Sequence, residues 1–314
     1  MESRATRDAY GDGLIELAEQ NSKILVLDAD LSRSTRTDWF QGRFPDRFIN
    51  CGIAEQNMVG IASGLALEGW IPFITTYAIF IGRAFDQIRQ SVGFSETNVK
   101  IVATHAGLAA SHDGGSHQGL EDIALMRAIP GMVVLSPADY NEARAALRAA
   151  ARHVGPVYVR LQKEPTPVIT PVDETFQFGR IGMMVEGREL LILATGTLVA
   201  TAVKAAAELN HRGISVTVAN VSTLKPMDIR AVRSLASRHS CLITVEEHNI
   251  IGGLYATIAA ALVGDFARPV VGLAVPDCFG TTGSWDKLRD SFGLSERGIL
   301  QASLEALMAA NALT

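Results

Sequence analysis

The residues best equipped for chemistry fall in three short stretches. The first is Asn50-Cys51-Gly52-Ile53-Ala54-Glu55-Gln56-Asn57-Met58-Val59-Gly60. It reads as a strand end, a tight glycine turn and a helix that opens on a carboxylate, Glu55, with no further charge until Glu68. The partial positive charge of a helix N-terminus favours an anion there, and the small, apolar run that follows keeps the surroundings poor in water. Glu55 is either a helix-start residue, as acidic side chains often are, or a chemical tool. The second stretch, Thr76-Tyr77-Ala78-Ile79-Phe80-Ile81-Gly82-Arg83, begins at a strand's C-terminal end, where open parallel sheets bind their ligands. Tyr77, Phe80 and Arg83 recur every three residues. One turn can therefore aim two aromatic faces and a guanidinium plane at a flat heteroaromatic ring, although simple core packing would use the same residues. In the third, Thr104-His105-Ala106-Gly107 to Ser111-His112-Asp113-Gly114-Gly115-Ser116-His117-Gln118-Gly119, a glycine-rich loop holds three histidines and an aspartate. Its spacing matches no usual zinc pattern. Imidazole, which titrates near neutrality, suits proton transfer to and from hydroxyls better.

Elements that could position these stretches alternate along the chain. The pattern predicts helix over 5–20, strand 24–27, helix 55–68, strand 71–77, helix 82–92 and strand 99–104. Helix 120–128, strand 132–135, helix 138–153 and strand 157–161 follow. Continuous apolar strands separated by helices signal a parallel sheet covered on both faces. Residues 163–178 contain three prolines and no period, and read as an interdomain linker. A second α/β pattern then runs through strand 190–194, helix 198–211, strand 214–221, helix 228–238, strand 241–245, helix 253–263, strand 270–275 and a closing helix 296–310. The expectation is an α/β protein of two domains, 1–162 and 179–314, each a mainly parallel sheet flanked by helices.

Composition narrows the partners. The chain has 314 residues, 48% hydrophobic and 19% charged, with a formal net charge of −5. That balance, with Lys and Arg scattered, argues against nucleic acid or an anionic membrane. Charges at 1–10 do not suit a secretory signal, and no apolar run spans a bilayer. Three widely spaced cysteines, Cys51, Cys241 and Cys278, fit a reduced, cytoplasmic protein without a cysteine metal site. The triplet Gly11-Asp12-Gly13 invites a diphosphate–metal reading, but it lies inside a helical pattern. Residues 38–44 supply no asparagine to complete such an anchor, so the match is set aside.

Together, the three stretches resemble the C-terminal half of the transketolase family. Val245-Glu246-Glu247-His248, Gly252-Gly253 and the segment from Phe279-Gly280 to Trp285 are similar to that half's last domain. The resemblance implies a thiamine-diphosphate pyrimidine-binding domain over 1–162 and a transketolase C-terminal domain over 179–314. It gives Glu55 the contact to N1′ of the thiamine aminopyrimidine, Tyr77 and Phe80 the aromatic wall of that ring, and Ile53 its other side. Asp30 and Arg83 would stand near the cofactor, and Asp113 and His117 would meet the hydroxyls of a ketose. Arg4, Ser34, His105 and Arg160 would grip the distal phosphate of the sugar. No residue of this chain is expected to hold metal. Thiamine diphosphate and Mg²⁺ would be anchored mainly by a partner subunit corresponding to the family's N-terminal half, the two kinds of chain associating as a heterotetramer. The implied activity is transfer of a two-carbon ketol unit between phosphorylated sugars. The Ala-Glu-Gln-Asn form and Arg83 look more like 1-deoxyxylulose-5-phosphate synthase, which leaves a pyruvate-using enzyme as an alternative; a noncatalytic scaffold of the same fold is another.

Overall fold

The structure, a computed structural model, describes residues 2–172, 175–264 and 266–312. Residues 173 and 174 of the expected linker, and 265, 313 and 314 of the expected second domain, lie outside the described residues.

The first half is built on a seven-stranded sheet. Its strands are β2 (Ile24–Asp28), β3 (Phe48–Asn50), β4 (Ile71–Tyr77), β5 (Lys100–Thr104), β6 (Val133–Leu135) and β7 (Val157–Arg160), all parallel, plus an antiparallel edge strand discussed below. A two-residue strand, β1 (Ser3–Arg4), pairs outside this sheet with β8 (Thr166–Pro167). Helices α1 (Thr6–Gln20), α2 (Thr37–Arg43), α3 (Glu55–Leu67), α4 (Asp122–Ala128) and α5 (Tyr140–Arg152) cover it. The central strands are buried along their length, as two-sided coverage requires.

The second half holds a five-stranded sheet in the order β14-β13-β10-β11-β9. These are β9 (Gly182–Val185), β10 (Leu190–Ala194), β11 (Val216–Asn220), β13 (Cys241–Asn249) and β14 (Val270–Val275), with only β9 antiparallel to its neighbour. Around it stand α6 (Leu198–His211), α7 (Ile229–Ala236), α8 (Leu254–Leu262), α9 (Trp285–Ser291) and α10 (Glu296–Asn311). Strand β12 (Thr223–Lys225) leaves this half and closes the edge of the first sheet against β6.

Four departures from the sequence expectation bear on function. The helix expected over 82–92 starts earlier, at Ala78–Ile81, tightens at Gly82–Ala84 and widens into a π-helical turn at Ile88–Phe94. The short turns at Ala78–Ile81 and Gly82–Ala84 carry Phe80 and Arg83, which line the cavity described below. Strand β13 runs four residues beyond the expected end and carries Glu246, Glu247 and His248, all buried, to the boundary between the halves. The expected linker is not a loose tether: β8 pairs with β1, and the Asp139 carboxylate accepts the Ile169 and Thr170 N–H groups at 2.6 Å each. Finally, β1, β8, β9 and β12 are not expected from the sequence, because each is a short strand defined by a partner distant in sequence.

Candidate active site

A cavity of about 430 Å³ opens at the C-terminal ends of β2 and β4, lined by Ala29, Asp30, Leu31, Ile53, Glu55, Tyr77, Phe80, Arg83, Asp113 and His117. Segments after four parallel strands, β2, β3, β4 and β5, meet here, as the geometry of open α/β sheets favours. All eight residues expected around the cofactor and reacting carbons line this one cavity.

Glu55 is the first residue of α3 and only 2% exposed. Its Oε2 has no hydrogen-bond partner within the chain, and Arg83 Nη1 lies 3.7 Å away with its own side chain well exposed. A buried carboxylate oxygen left without a donor carries a desolvation penalty, so this arrangement fits a ligand that brings its own donor. The aromatic wall is present too. Tyr77 and Phe80 are stacked with centroids 5.5 Å apart and planes 9° from parallel. His117 meets the Phe80 ring edge-on at 5.5 Å, and Ser116 Oγ bonds its Nδ1 at 3.0 Å. Asp30 adopts positive φ and accepts the Asn50 side-chain N–H at 3.0 Å, while Asn50 Oδ1 receives the Gly52 N–H of the turn into α3.

Close packing joins the second and third stretches. A β-carbon on Gly119 would stand 2.8 Å from the Ile79 nitrogen, so glycine is what lets the histidine loop settle on the start of the irregular helix. Asp113 and His117 reach the cavity from that loop. The third histidine, His112, is exposed and does not line it.

Tyr77 links the cavity to a positively charged corner. Its ring stacks on His105 at 3.8 Å. Arg7 Nη1 donates to the Ser34 carbonyl at 2.9 Å and approaches His105 Nε2 at 3.3 Å; Thr104 Oγ1 lies 3.0 Å from Nδ1. Burial, reinforced by the charges of Arg7, Lys163 and Arg36, pushes the His105 imidazole down to about 3, so it is neutral and can accept from Arg7. Arg7 Nε is buried without a partner. A donor left over beside a neutral histidine suits an incoming anion; the neighbouring cations Arg36 and Lys163 already face carboxylates, Asp8 at 2.7 Å and Glu164 at 3.9 Å.

Two expected members of the phosphate grip do not belong to this corner. Arg160 is 5% exposed, donates through Nε to Asp122 at 2.8 Å and through Nη2 to the Glu247 carbonyl at 2.8 Å. Its guanidinium is consumed inside the boundary between the halves. Arg4 pairs with Asp12 at 3.0 Å and lies 3.5 Å above the Tyr140 ring, so its charge is answered on the far side of α1. The same contacts show Asp12 of the Gly11-Asp12-Gly13 triplet at structural work within α1. Beside His105 stand Arg7, in contact with its ring, and the charge of Lys163. Sequence reasoning passed over both, although Lys163 follows the end of β7 by three residues and so stood where a parallel sheet presents ligands.

Among the described residues, no cluster of three or more His, Cys, Asp and Glu could hold a metal ion, and no helix is long and apolar enough to cross a membrane.

Comparison with known proteins agrees with this geometry. The transketolase pyrimidine-binding domain matches residues 2–168 and the transketolase C-terminal domain matches residues 179–299. A 6-deoxy-6-sulfo-D-fructose transketolase subunit of Clostridium sp. (strain MSTE9) is 40% identical over 97% of this chain and 95% of its own length. The 1-deoxy-D-xylulose-5-phosphate synthase of Dictyoglomus thermophilum is 36% identical over 96% of this chain, which spans 49% of that enzyme. Among solved structures, a split-gene transketolase described as an inactive beta4 tetramer is 42% identical, with a TM-score of 0.89 over 98% of this chain and 100% of its own. The chain belongs to the transketolase family and corresponds to its C-terminal half, a pyrimidine-binding domain followed by a C-terminal domain.

Proposed function

We propose that this chain is one subunit of a split, thiamine-diphosphate-dependent transketolase that moves a two-carbon ketol unit between sugars carrying a distal anionic group. The observation that carries the reading is Glu55 Oε2, a buried carboxylate oxygen without a hydrogen-bond partner, in one cavity with the stacked Tyr77 and Phe80 rings. The cofactor, when bound, supplies the carbon nucleophile. Glu55 would hold a proton shared with N1′ of the aminopyrimidine, Tyr77, Phe80 and Ile53 would orient that ring, and Asp30 and Arg83 would border it. Asp113 and His117 would bind the hydroxyls of the ketose and exchange protons with them. Arg7, His105, Lys163 and Ser34 would hold the far end of the sugar.

Relatives of the same length support a split assembly, since one is named a transketolase subunit and another a split-gene transketolase. The partner would bring the diphosphate and Mg²⁺ site, and two copies of each chain would form a heterotetramer. Phosphate and sulfonate both offer negative oxygens to Arg and Lys, so the positively charged corner would suit either. Glu55→Gln tests the reading. In the assembled complex it should leave assembly intact and lower turnover about 10²–10⁴-fold or more, the range of general acid–base assistance. Near-normal turnover would sink the assignment.

Arg83, 3.7 Å from Glu55, favours the second reading, a synthase-like enzyme that uses pyruvate as donor. Donor scope separates the two: pyruvate turnover without ketose turnover would replace the first reading by the second.

A further inference from the structure

The loop that carries Asp113 and His117 holds backbone conformations its own residues do not favour. His105 (φ 54°) and Ser111 (φ 52°, ψ −103°) both lie at positive φ. Side-chain-bearing residues persist there only where the surroundings overdetermine them. Within the loop, Ser111 Oγ donates to the Ala109 carbonyl at 3.2 Å, and the Ser111 carbonyl accepts the Gly114 N–H at 3.2 Å and Gln118 Nε2 at 3.5 Å. Further restraint comes from the other half of the chain.

Glu247 of β13, 2% exposed, accepts the Leu108 N–H through Oε1 at 2.8 Å. Its carboxylate is held in turn by the Trp285 indole N–H, 3.1 Å from both oxygens, and by Arg289 Nε at 3.8 Å. The approach is possible because residue 107 is glycine at φ 69°; a β-carbon there would fall 2.5 Å from Glu247 Oε1. The other end of the loop is tied as well. Arg160 Nη2 donates to the carbonyls of Glu247 (2.8 Å) and Gly119 (3.4 Å), and Gln118 Nε2 donates to the Thr281 carbonyl at 2.9 Å. The Gly107 N–H donates to the Gly119 carbonyl at 2.8 Å and closes the base. Ser111 is thus enclosed between second-domain ties at Leu108 and Gln118, with Arg160 of the first half holding the Gly119 end, while His105 precedes the first tie.

We infer that Glu247 is a positioning residue: its carboxylate clamps the start of the 107–119 loop across the domain boundary, so that Asp113 and His117 are presented to the cavity. The C-terminal domain thereby acts on the chemistry of the pyrimidine-binding domain without lining its cavity. The inference rests on the reading of that cavity as catalytic. A carboxylate serving stability alone would find its partners in Trp285 and Arg289. The bond to Leu108 adds a charge-assisted link to the first turn of the loop, and such bonds fix geometry more firmly than neutral ones.

Hydrogen–deuterium exchange by mass spectrometry on the wild-type chain, Glu247→Ala and Glu247→Gln tests the clamp, with turnover of the partner complexes measured alongside. In Glu247→Ala, amides 108–118 should exchange about tenfold faster or more, while β2 and β7 keep their rates. The complex should lose about tenfold or more in kcat/KM for a ketose donor while its affinity for thiamine diphosphate is unchanged. Glu247→Gln keeps an acceptor for the Leu108 N–H and should recover most of the loop protection and activity. Unchanged loop exchange in Glu247→Ala would overturn the inference, as would equal acceleration across both sheets, the mark of a residue that only stabilises the fold. If the wild-type complex turns over no ketose, the catalytic reading itself fails, and the exchange data still decide whether the clamp exists.

Discussion

Arg7 and Arg160 show how a residue's use depends on what its own protein leaves unspent. Arg160 has a buried carboxylate at 2.8 Å and a main-chain carbonyl at the same distance, whereas Arg7 keeps a buried Nε without a partner. Arg7→Ala should lower kcat/KM about tenfold to hundredfold for a phosphorylated or sulfonated sugar, the worth of one or two charged hydrogen bonds, and spare hydroxypyruvate. Arg160→Ala should instead strand the Asp122 charge, cost about 3–5 kcal/mol of stability and reduce activity on both substrates alike; steady-state kinetics on the two donors separates these outcomes. Sequence placed Arg4 and Arg160 in this corner, whereas the fold pairs them with Asp12 and Asp122, carboxylates they meet only after folding. Glu55, Tyr77 and Phe80 were legible because each follows directly from a strand end or helix start. His105 adds a pH dependence. Its folded value of about 3 lies below its ordinary 6.5, so below 6.5 the unfolded chain binds a proton that the folded chain refuses. The stability contributed by His105 is therefore complete above pH 6.5 and is lost as pH falls toward 3, by about 2 kcal/mol at pH 5. Denaturant titrations at pH 7 and pH 5 should show that His105→Gln loses less stability on acidification than the wild type. An identical loss in both would mean that His105 is not held neutral.

At the scale of elements, the regular strands and helices were readable from hydrophobic period because each is decided by neighbours a few residues away. The segment 163–178 was not, since three prolines and mixed polarity describe a tether and a pinned crossing equally well. What pins it is Asp139, at the N-cap of α5. Its carboxylate accepts the Glu142 N–H at 3.0 Å in the capping position, and also the N–H groups of Ile169 and Thr170 and the Thr170 hydroxyl at 2.6 Å. One buried side chain thus caps the start of a helix and fixes the middle of the crossing between domains. Asp139→Ala should remove an N-cap worth about 1 kcal/mol and leave buried donors without a charged acceptor at about 1–3 kcal/mol. The expected total is about 2–4 kcal/mol in equilibrium unfolding, together with faster proteolytic cleavage between 165 and 180. Asp139→Asn, which can still cap α5, should lose less. A loss confined to the capping value would show that the crossing is held by β1 and β8 alone.

For the whole molecule, the telling feature is the side of α3 that this chain does not cover. Gln56, Asn57, Gly60, Gly64 and Leu67 form an exposed stripe along one helix face, and β-carbons built on Gly60 and Gly64 would meet nothing within 4 Å. The stripe begins beside Glu55 and the exposed Ile53, both of which line the cavity, so a polypeptide lying along it would also wall the cavity. Glycine in a helix interior costs about 1 kcal/mol against other residues, a cost that close approach of a second chain would offset. Under the split reading, the isolated chain should bind thiamine diphosphate weakly, and tight Mg²⁺-dependent binding should appear only with the diphosphate-binding subunit. Gly64→Leu then separates folding from assembly. In the isolated chain it should keep or raise thermal stability, since leucine is the better helix former and has room. In the mixture it should weaken association and abolish tight cofactor binding in calorimetry, because a bulky side chain holds the second chain away from Glu55. Wild-type assembly by Gly64→Leu would mean that the partner docks elsewhere, and tight cofactor binding by the isolated chain would mean that no partner is needed to complete the site.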